Sequence, residues 1–317
     1  MNPRKLFKKY PASVPFLTLI VLVLLVGVNS PIFLSLNSIL TTMTDTAALF
    51  TLAAGITFVI LLGGIDLSGQ AVAAVGSVVC MMLLSKLGFL AIPLAIAVGM
   101  LFGLASGVAQ VYLKLPSFIA TLAVGSVASS VALLLSGERS VPMSGEDRQT
   151  YFFWMVGETF GIPNQILVAV VVLLFSLYIE RYTRFGYWSR AVGSGEPAAK
   201  AIGVPVDRVK VTALVISGGF AAFAGLVLAA RLSSGSPTIA NETLLPAIAA
   251  VVIGGTAITG GTGSVLNTLI GALMISVVRI GMTFVGVNIF AQQVVFGLLI
   301  IAAAAATIDR SKLPIVK

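Results

Sequence analysis

Few side chains in this sequence could carry out chemistry. The chain has no histidine and a single cysteine, Cys80, which lies within an apolar run. Without imidazoles or paired thiols, most transition-metal sites, histidine-based acid–base catalysis and internal disulfides are excluded. The acidic residues that border long apolar runs are Asp45, Asp66 and Glu242. We therefore predict no catalytic residue, no metal site and no cofactor in this chain.

Motifs for catalysis and nucleotide binding are also missing from the sequence. No G-x-x-x-x-G-K-[ST] loop is present, so the chain does not bind ATP through a P-loop. No G-x-S-x-G, H-E-x-x-H or C-x-x-C sequence occurs either. A membrane-embedded enzyme would need a cluster of such groups, and a proton-coupled carrier normally shows several buried carboxylates or histidines. A secondary carrier without an ATPase stays open as an alternative.

The composition is typical of a membrane protein. Of the 317 residues, 58% are hydrophobic and only 9% are charged, and the mean hydropathy is +1.09. Soluble domains have roughly a quarter of their residues charged, so we predict an all-α, polytopic helical membrane protein. The formal net charge of +8 can indicate nucleic-acid binding, but basic residues also collect in cytoplasmic loops. We expect membrane lipid around the chain and no nucleic acid bound to it.

About ten apolar segments could be transmembrane helices, which need about 20 residues each. The ten predicted spans are 14–28, 46–62, 67–84, 89–113, 117–135, 165–179, 209–230, 245–258, 265–283 and 289–307. Residues 136–163 are predicted to form a polar loop, and no soluble domain or long linker is apparent. The whole chain, residues 1–317, is predicted to be one transmembrane domain.

Basic residues are concentrated in three segments of the chain. They precede the first span (1–11), join spans six and seven (181–210) and follow the last span (308–317). Ten spans place all three segments on the same side, in agreement with the excess of Lys and Arg in cytoplasmic loops. We therefore predict that both termini lie in the cytoplasm.

The segment 181–210 is the longest polar passage between apolar blocks, and it contains a predicted short helix. Residues 193–195 (Gly-Ser-Gly) form a flexible entry to this helix, and Pro197 suits its first turn. Gly203 and Pro205 are predicted to terminate this helix.

A small apolar face is predicted on this short helix, formed by Ala198, Ala199 and Ile202. A helix of this length is not stable alone, so it needs a surface to rest against. We predict that it lies on the cytoplasmic side and presses into a soluble partner that supplies energy.

Paired glycines interrupt two apolar runs in the two halves of the chain. The runs are VILLGGIDLS at residues 59–68 and VVIGGTAIT at residues 251–259. Interrupted helices in corresponding halves point to a transport path, because their freed backbone groups need water or substrate. Glycine pairs also permit close helix packing in membranes, so both interpretations remain open.

The sequence allows specific predictions for two charged residues near or within the apolar runs. Asp66 can cap or hinge the helix that follows it, or it can contact substrate directly. Arg279 lies late in the ninth span and is expected to extend to the outer surface.

Three stretches of the sequence resemble the ribose/galactose/xylose class of ABC importer permeases, within the branched-chain amino acid and sugar permease family. They are GGIDLS at residues 63–68, RFGYWSRAVGSGEPAAKAIGV at 184–204 and AIAAVVIGGTAITGGTGSV at 247–265. The matches keep their order along the chain, and the resemblance covers about residues 46–309. It implies an ABC importer permease fold in the bacterial inner membrane.

The resemblance also implies partners and a mechanism. The sequence E-P-A-A-x-x-x-G is similar to the family's coupling loop, which docks on the ATPase. The ATPase-coupling residues it implies are Glu196, Pro197, Ala198, Ala199 and Gly203. Two ABC ATPase subunits, an extracytoplasmic solute-binding protein and a second permease copy or sister permease are implied. Closure of the ATPase subunits would drive alternating access.

The chain departs from the family pattern near the presumed transport path. Members commonly follow GGIDLS with Val-Gly, where this chain has Gly69-Gln70, and they often have Glu-Leu-Asp where this chain has residues 244–246 (Leu-Leu-Pro). The candidate path residues are Asp66, Ser68, Gln70 and Thr256. A monosaccharide or a similar small polar solute is the predicted cargo, with nucleosides or amino acids as the alternatives.

Overall fold

A computed structural model describes residues 13–307, and these residues form a bundle of helices. The α-helices are α1 (Ser13–Asn29), α2 (Leu36–Ile60), α3 (Gly69–Leu87), α4 (Ala91–Tyr112), α5 (Ser117–Ser136), α6 (Gly145–Tyr151), α7 (Phe153–Val156), α8 (Asn164–Tyr182), α9 (Arg184–Ser194), α10 (Glu196–Ala201), α11 (Val206–Leu232), α12 (Leu244–Ile253), α13 (Val265–Phe284) and α14 (Ile289–Thr307). Two 3-10 helices (Pro31–Leu34 and Gly88–Leu90) and four strands, β1 (Val141–Pro142), β2 (Glu158–Thr159), β3 (Ile162–Pro163) and β4 (Ser234–Gly235), complete the elements. The basic segments 1–11 and 308–317 lie outside the described residues.

Six helical stretches within residues 13–307 are long and apolar enough to cross a membrane. They are Leu36–Ile60, Gly69–Tyr112, Ser117–Ser136, Asn164–Tyr182, Val206–Leu232 and Val265–Phe284. The second of these stretches contains both α3 and α4, and so two of the predicted spans. A helical membrane protein is therefore confirmed, whereas the predicted count of about ten spans is not.

The core of the bundle surrounds α2. Every residue of this helix from Thr46 to Ile60 is buried, as is expected of a helix that is apolar on all sides. It packs against α8, α11, α12 and α13. The helix begins at Leu36, before the predicted start, because Ser35 caps it by accepting the Ser38 N–H at 3.3 Å. Asp45, which was expected to precede the span, consequently lies inside the helix.

The chain reverses between α3 and α4 at Gly88, whose φ of +54° suits glycine. From there α4 packs along α11 through a seam of small residues, the most extensive helix contact in the described part of the chain. A Cβ on Gly99 or Gly103 would overlap the main-chain carbonyl oxygen of Gly218 or Leu214. Small residues join membrane helices in this way by letting their backbones approach closely.

Residues 136–163 were predicted to form a polar loop, but they fold into a cap over one end of the bundle. The cap contains α6, α7 and the β2–β3 hairpin, and β1 pairs antiparallel with β4. Phe152 and Met155 are fully buried, and Trp154 stacks on Phe223 of α11 with ring centroids 6.4 Å apart. The loop prediction was wrong because buried aromatic and apolar side chains anchor this segment on the bundle.

The predicted eighth span is replaced by α12, a helix of only ten residues. Ten residues make about 15 Å of helix, half of the roughly 30 Å hydrocarbon layer. The chain leaves the helix through Gly255, with a φ of +95°, and continues in turns and irregular backbone to α13. Helix α2 likewise ends at Ile60, before the first glycine pair. Both predicted helix interruptions are confirmed, and we call residues 61–68 the first connecting segment and residues 254–264 the second.

Candidate functional site

The predicted short helix is α10, with Pro197 in its first turn. The predicted end of the helix is confirmed, since Gly203 follows it with a φ of +85°. Its predicted entry is shorter than expected, because α9 continues through Ser194 and only Gly195 separates the two helices. The Gly195 N–H closes α9 by donating to the carbonyl oxygens of Ala191 and Val192.

The predicted apolar face of α10 is divided between two sides of the helix. Ala199 is 2% exposed and packs in a cluster with Val192 of α9 and Val209 of α11. Ile202 is 78% exposed, and Ala198 is exposed beside it. Adjacent residues on a helix are turned by about 100°, which separates Ala198 from Ala199, and Ile202 lies beyond Ala201, the last residue of the helix. The prediction of one common face was therefore wrong for Ala199, which anchors α10 from the inside.

A cavity lies between α10 and the first connecting segment. Its volume is about 340 Å³, and its lining includes Gly63, Gly64, Glu196 and Lys210. The Glu196 carboxylate pairs with the Lys210 ammonium of α11 at 2.7 Å, and both side chains are partly exposed. An ion pair so open to solvent contributes little stability, but it links α10 to α11.

The two connecting segments meet next to α9. The Gly261 N–H donates to the Leu61 carbonyl oxygen at 2.9 Å. A Cβ on Gly260 would lie 2.7 Å from the Gly63 nitrogen, so the two backbones are in close contact. Gly193 of α9 sits on this junction, because a Cβ there would overlap both the Leu61 oxygen and the Gly261 nitrogen. The helix before α10 therefore touches both interruptions at once.

A buried carboxylate joins three helices near this junction. Glu180, in the last turn of α8, is 2% exposed. Its Oε1 pairs with Arg190 of α9, and its Oε2 accepts the Val265 N–H at 2.9 Å. The Ser264 hydroxyl lies 3.4 Å from the same Oε2. Because Val265 is the first residue of α13, the carboxylate also lies at the positive end of that helix.

Asp66 is 1% exposed, and both of its carboxylate oxygens accept hydrogen bonds. Oδ1 accepts the Ser68 N–H at 2.8 Å and the Ser68 hydroxyl at 2.6 Å. Oδ2 accepts the hydroxyl of Ser217, in the middle of α11, at 2.6 Å. The structure therefore places Asp66 and Ser68 in one network that holds the turn into α3.

The other two predicted path residues lie apart from this network. Gln70 is half-buried in the first turn of α3. Thr256 is fully buried in the second connecting segment, where a Cβ on Gly263 would lie 2.5 Å from its hydroxyl oxygen. That hydroxyl has no hydrogen-bond partner among the described residues.

The opposite end of the bundle, the far end, carries a cluster of charges around Asp45. Roughly 22 Å of helix α2 separates Asp45 from Ile60. The Asp45 carboxylate accepts a hydrogen bond from Arg231 at 2.7 Å and another from Arg279. Arg279 was expected to extend to the outer surface; its side chain is 28% exposed and reaches the Asp45 carboxylate of α2. A cavity of about 540 Å³ lies at this cluster, and Glu242 lines it together with Asp45 and both arginines.

Two residues of these networks were not found from the sequence. Glu180 carries a readable signal, since a carboxylate in the last turn of a helix faces the negative end of the helix dipole and needs a cationic partner. Ser217 carries none, because it is one serine among several in apolar helices.

Comparison with known proteins identifies the family. Residues 38–304 match the model of the family described as branched-chain amino acid transport system / permease component. The chain belongs to this permease family. The permease is 35% identical to the ribose import permease protein RbsC of Haemophilus influenzae over 294 residues, 92% of this chain and 91% of the relative.

Other relatives carry similar names. The permease is 37% identical to the ribose import permease protein RbsC of Bacillus subtilis over 302 residues, covering 94% of this chain and 92% of the relative. It is 33% identical to the fructose import permease protein FrcC of Rhizobium meliloti over 304 residues, covering 93% and 84%. The resemblance to ribose-class ABC importer permeases is confirmed, and the permease is a multi-pass membrane protein.

Proposed function

We propose that the chain is the membrane-spanning permease subunit of an ATP-driven importer that carries a monosaccharide across the bacterial inner membrane. The observation that carries this proposal is the exposed side of α10, formed by Pro197 and Ala198 with Ile202 directly after the helix, in a member of the permease family. The names of relatives that import ribose or fructose support a sugar as cargo. ATP hydrolysis belongs to partner subunits, and the chain itself is not an enzyme.

The five predicted coupling residues have complementary roles in this proposal. Pro197 and Ala198 contact the ATPase, because they are exposed and small enough for close backbone approach. Ala199 holds α10 on α9 and α11, Glu196 sets its orientation through an ion pair, and Gly203 ends it. A helix anchored on one side and docked on the other passes on movement as a rigid body.

Alternating access would open and close a path beside the connecting segments. Asp66 and Ser68 hold the turn of the first segment, and their hydrogen-bonding groups are occupied by one another and by Ser217. Gln70 and Thr256 offer an amide and an unpartnered hydroxyl, which suit a neutral cargo with many hydroxyl groups. Weak polar contacts of this kind allow release as well as binding.

The assembly would contain two ABC ATPase subunits at α9 and α10, a second permease copy or a sister permease, and an extracytoplasmic solute-binding protein at the far end. Basic residues on α9 to α11 support a cytoplasmic location for the end of the bundle that carries α10, in the single domain of residues 1–317. An even number of crossings would then place both termini in the cytoplasm.

Reconstitution tests the proposal. The permease, its cognate ATPase and its binding protein are placed in proteoliposomes, and ATP-dependent accumulation of radiolabelled ribose and fructose is measured. Ala198→Glu adds a charge to the docking side of α10, and we expect loss of ATPase capture and at least tenfold slower uptake. Gln149→Glu, which adds the same charge to the exposed surface of α6, is the matched control and keeps ATPase capture.

Three results would contradict the proposal. Uptake driven by a proton gradient without any ATPase would indicate a secondary carrier. Capture of the ATPase at wild-type levels by Ala198→Glu would remove α10 from the interface. Transport of neither sugar, together with a nucleoside or an amino acid copurifying with the binding protein, would overturn the assignment of cargo.

A further inference from the structure

We propose that α9, rather than α10 alone, transmits ATPase movement to both helix interruptions, with Gly193 as the contact and Glu180 as the positioning residue. The inference rests on the proposed coupling function and assigns the route inside the permease. Neither residue belongs to the docking surface of α10. Their contacts nonetheless connect that helix to the two segments that carry the candidate path residues.

Gly193 provides the first connection. It lies two residues before Gly195, the single residue that separates α9 from α10. Its backbone rests on the hydrogen bond between the Gly261 N–H and the Leu61 oxygen, with no room for a methyl group. A rotation of α9 therefore displaces the first and second connecting segments together.

Glu180 provides the second connection. Its carboxylate receives Arg190 from α9 on one oxygen and the Val265 N–H of α13 on the other. The group is 2% exposed, so it depends on both partners for the interactions that water would otherwise supply. Movement of Arg190 consequently acts on the start of α13, where the second connecting segment ends.

These two contacts lie three residues apart on α9, so Arg190 and Gly193 act from the same face of the helix. Gly193 touches the segments where their chains cross, and Arg190 holds the end of the second segment through Glu180. Packed interfaces with no free space respond by discrete shifts rather than by gradual deformation. A push on α10 is in this way converted into a joint shift of the segments that carry Asp66 and Thr256.

Uncoupling is the expected signature of damage to this route. Gly193→Ala and Arg190→Gln should still capture the ATPase and hydrolyse ATP within twofold of wild type, while sugar transported per ATP falls at least tenfold. Arg190→Lys keeps a cation beside Glu180 and should recover at least half of the wild-type ratio. Gly145→Ala is the matched control, because a Cβ there meets no atom within 4 Å, and it should leave the ratio unchanged.

A reporter that needs no cargo complements transport. Thr259→Cys lies at an exposed position of the second connecting segment, and the native Cys80 is buried. Its rate of reaction with a maleimide should differ at least threefold between nucleotide-free and vanadate-trapped complexes. In the Gly193→Ala and Arg190→Gln backgrounds that difference should disappear.

The outcomes separate the two proposals. A wild-type chain that captures no ATPase contradicts the proposed function itself. A working wild-type complex, with Gly193→Ala and Arg190→Gln keeping both the transport ratio and the maleimide response, overturns the transmission route alone. Loss of hydrolysis in proportion to uptake in both variants would also overturn it, since α9 would then be a structural support. If Gly193→Ala fails to assemble, the Arg190→Gln and Arg190→Lys pair decides.

Discussion

The hydroxyl of Ser217 donates to Oδ2 of Asp66 at 2.6 Å, and both residues are almost completely buried. Asp66 belongs to the first connecting segment, whereas Ser217 lies in the middle of α11. This hydrogen bond therefore fixes an irregular segment to the longest helix among the described residues. A buried carboxylate is stable there only while its donors are present.

Ser217→Ala should destabilise the permease, because it leaves Oδ2 of Asp66 buried without its donor. We expect a loss of about 1–3 kcal/mol in the free energy of unfolding. Thermal unfolding in detergent measures the change. Ser130→Ala, which removes an exposed hydroxyl bonded only to its own helix, is the control and should stay within about 0.5 kcal/mol. Equal effects of the two variants would show that the Asp66 network adds nothing to stability.

Gly103→Ala should separate α4 from α11, since the added methyl overlaps the Leu214 carbonyl oxygen. Overpacking of this kind costs about 1–3 kcal/mol. Gly297→Ala in α14 places the same methyl where no atom lies within 4 Å, so it should be neutral or slightly stabilising. The midpoint of thermal unfolding distinguishes the two, and a neutral Gly103→Ala would contradict the packed seam.

The far-end charges should contribute unequally to stability. Arg279 has a side chain 28% exposed, and Arg231 has one 39% exposed, so water screens the second more strongly. Arg279→Gln should cost about 1–2 kcal/mol and Arg231→Gln less than about 1 kcal/mol. A double-mutant cycle with Asp45→Asn measures each coupling, and a larger coupling for Arg231 would contradict this order.

Cysteine labelling should show which residues at α10 are exposed and on which side of the membrane this helix lies. Ile202→Cys is expected to react with a membrane-impermeant maleimide at least tenfold faster than Ala199→Cys, because Ile202 is 78% exposed and Ala199 is 2% exposed. Labelling should occur in inside-out vesicles and not in right-side-out vesicles. The unaltered chain, with its buried Cys80, supplies the background rate. Rapid reaction from the outside would reverse the proposed orientation.

Gln70→Ala tests whether the unusual amide in α3 contributes to the path. Loss of an amide that contacts a sugar hydroxyl should weaken uptake several-fold or change the preference between ribose and fructose, because each such hydrogen bond contributes about 1 kcal/mol. Competition between the labelled sugars in proteoliposomes gives the preference. Unchanged uptake and preference would exclude Gln70 from the path.

Much of the helical architecture could be predicted from local sequence. Long apolar runs produce α2 to α5, α8, α11 and α13, and the glycine pairs mark the ends of α2 and α12. The boundaries of α10 followed from Pro197 and Gly203, whose backbone preferences are local. Such features depend on neighbouring residues, so one sequence is enough to show them.

The contacts that organise the site could not be predicted in the same way. Glu180 with Val265, and Asp45 with Arg279, join residues that are far apart in the chain, and their pairing follows only from how the helices pack. The length of α12 was missed because apolar residues continue beyond Gly255 into the second connecting segment. The different exposure of Ala199 and Ile202 depends on how α10 is rotated against α9 and on the end of the helix at Ala201.

The glycines along α4 and α11 restrict which parts of the permease can slide. The backbones of α4 and α11 are in contact at Gly99, Gly103 and Gly218, so neither helix can slide along the other unless the two helices first separate. We therefore expect α4 and α11 to move as one rigid unit in the proposed alternating-access mechanism. Bending is then expected at the glycine pairs after α2 and α12, where Gly63 and Gly255 adopt φ values of +77° and +95° that suit glycine.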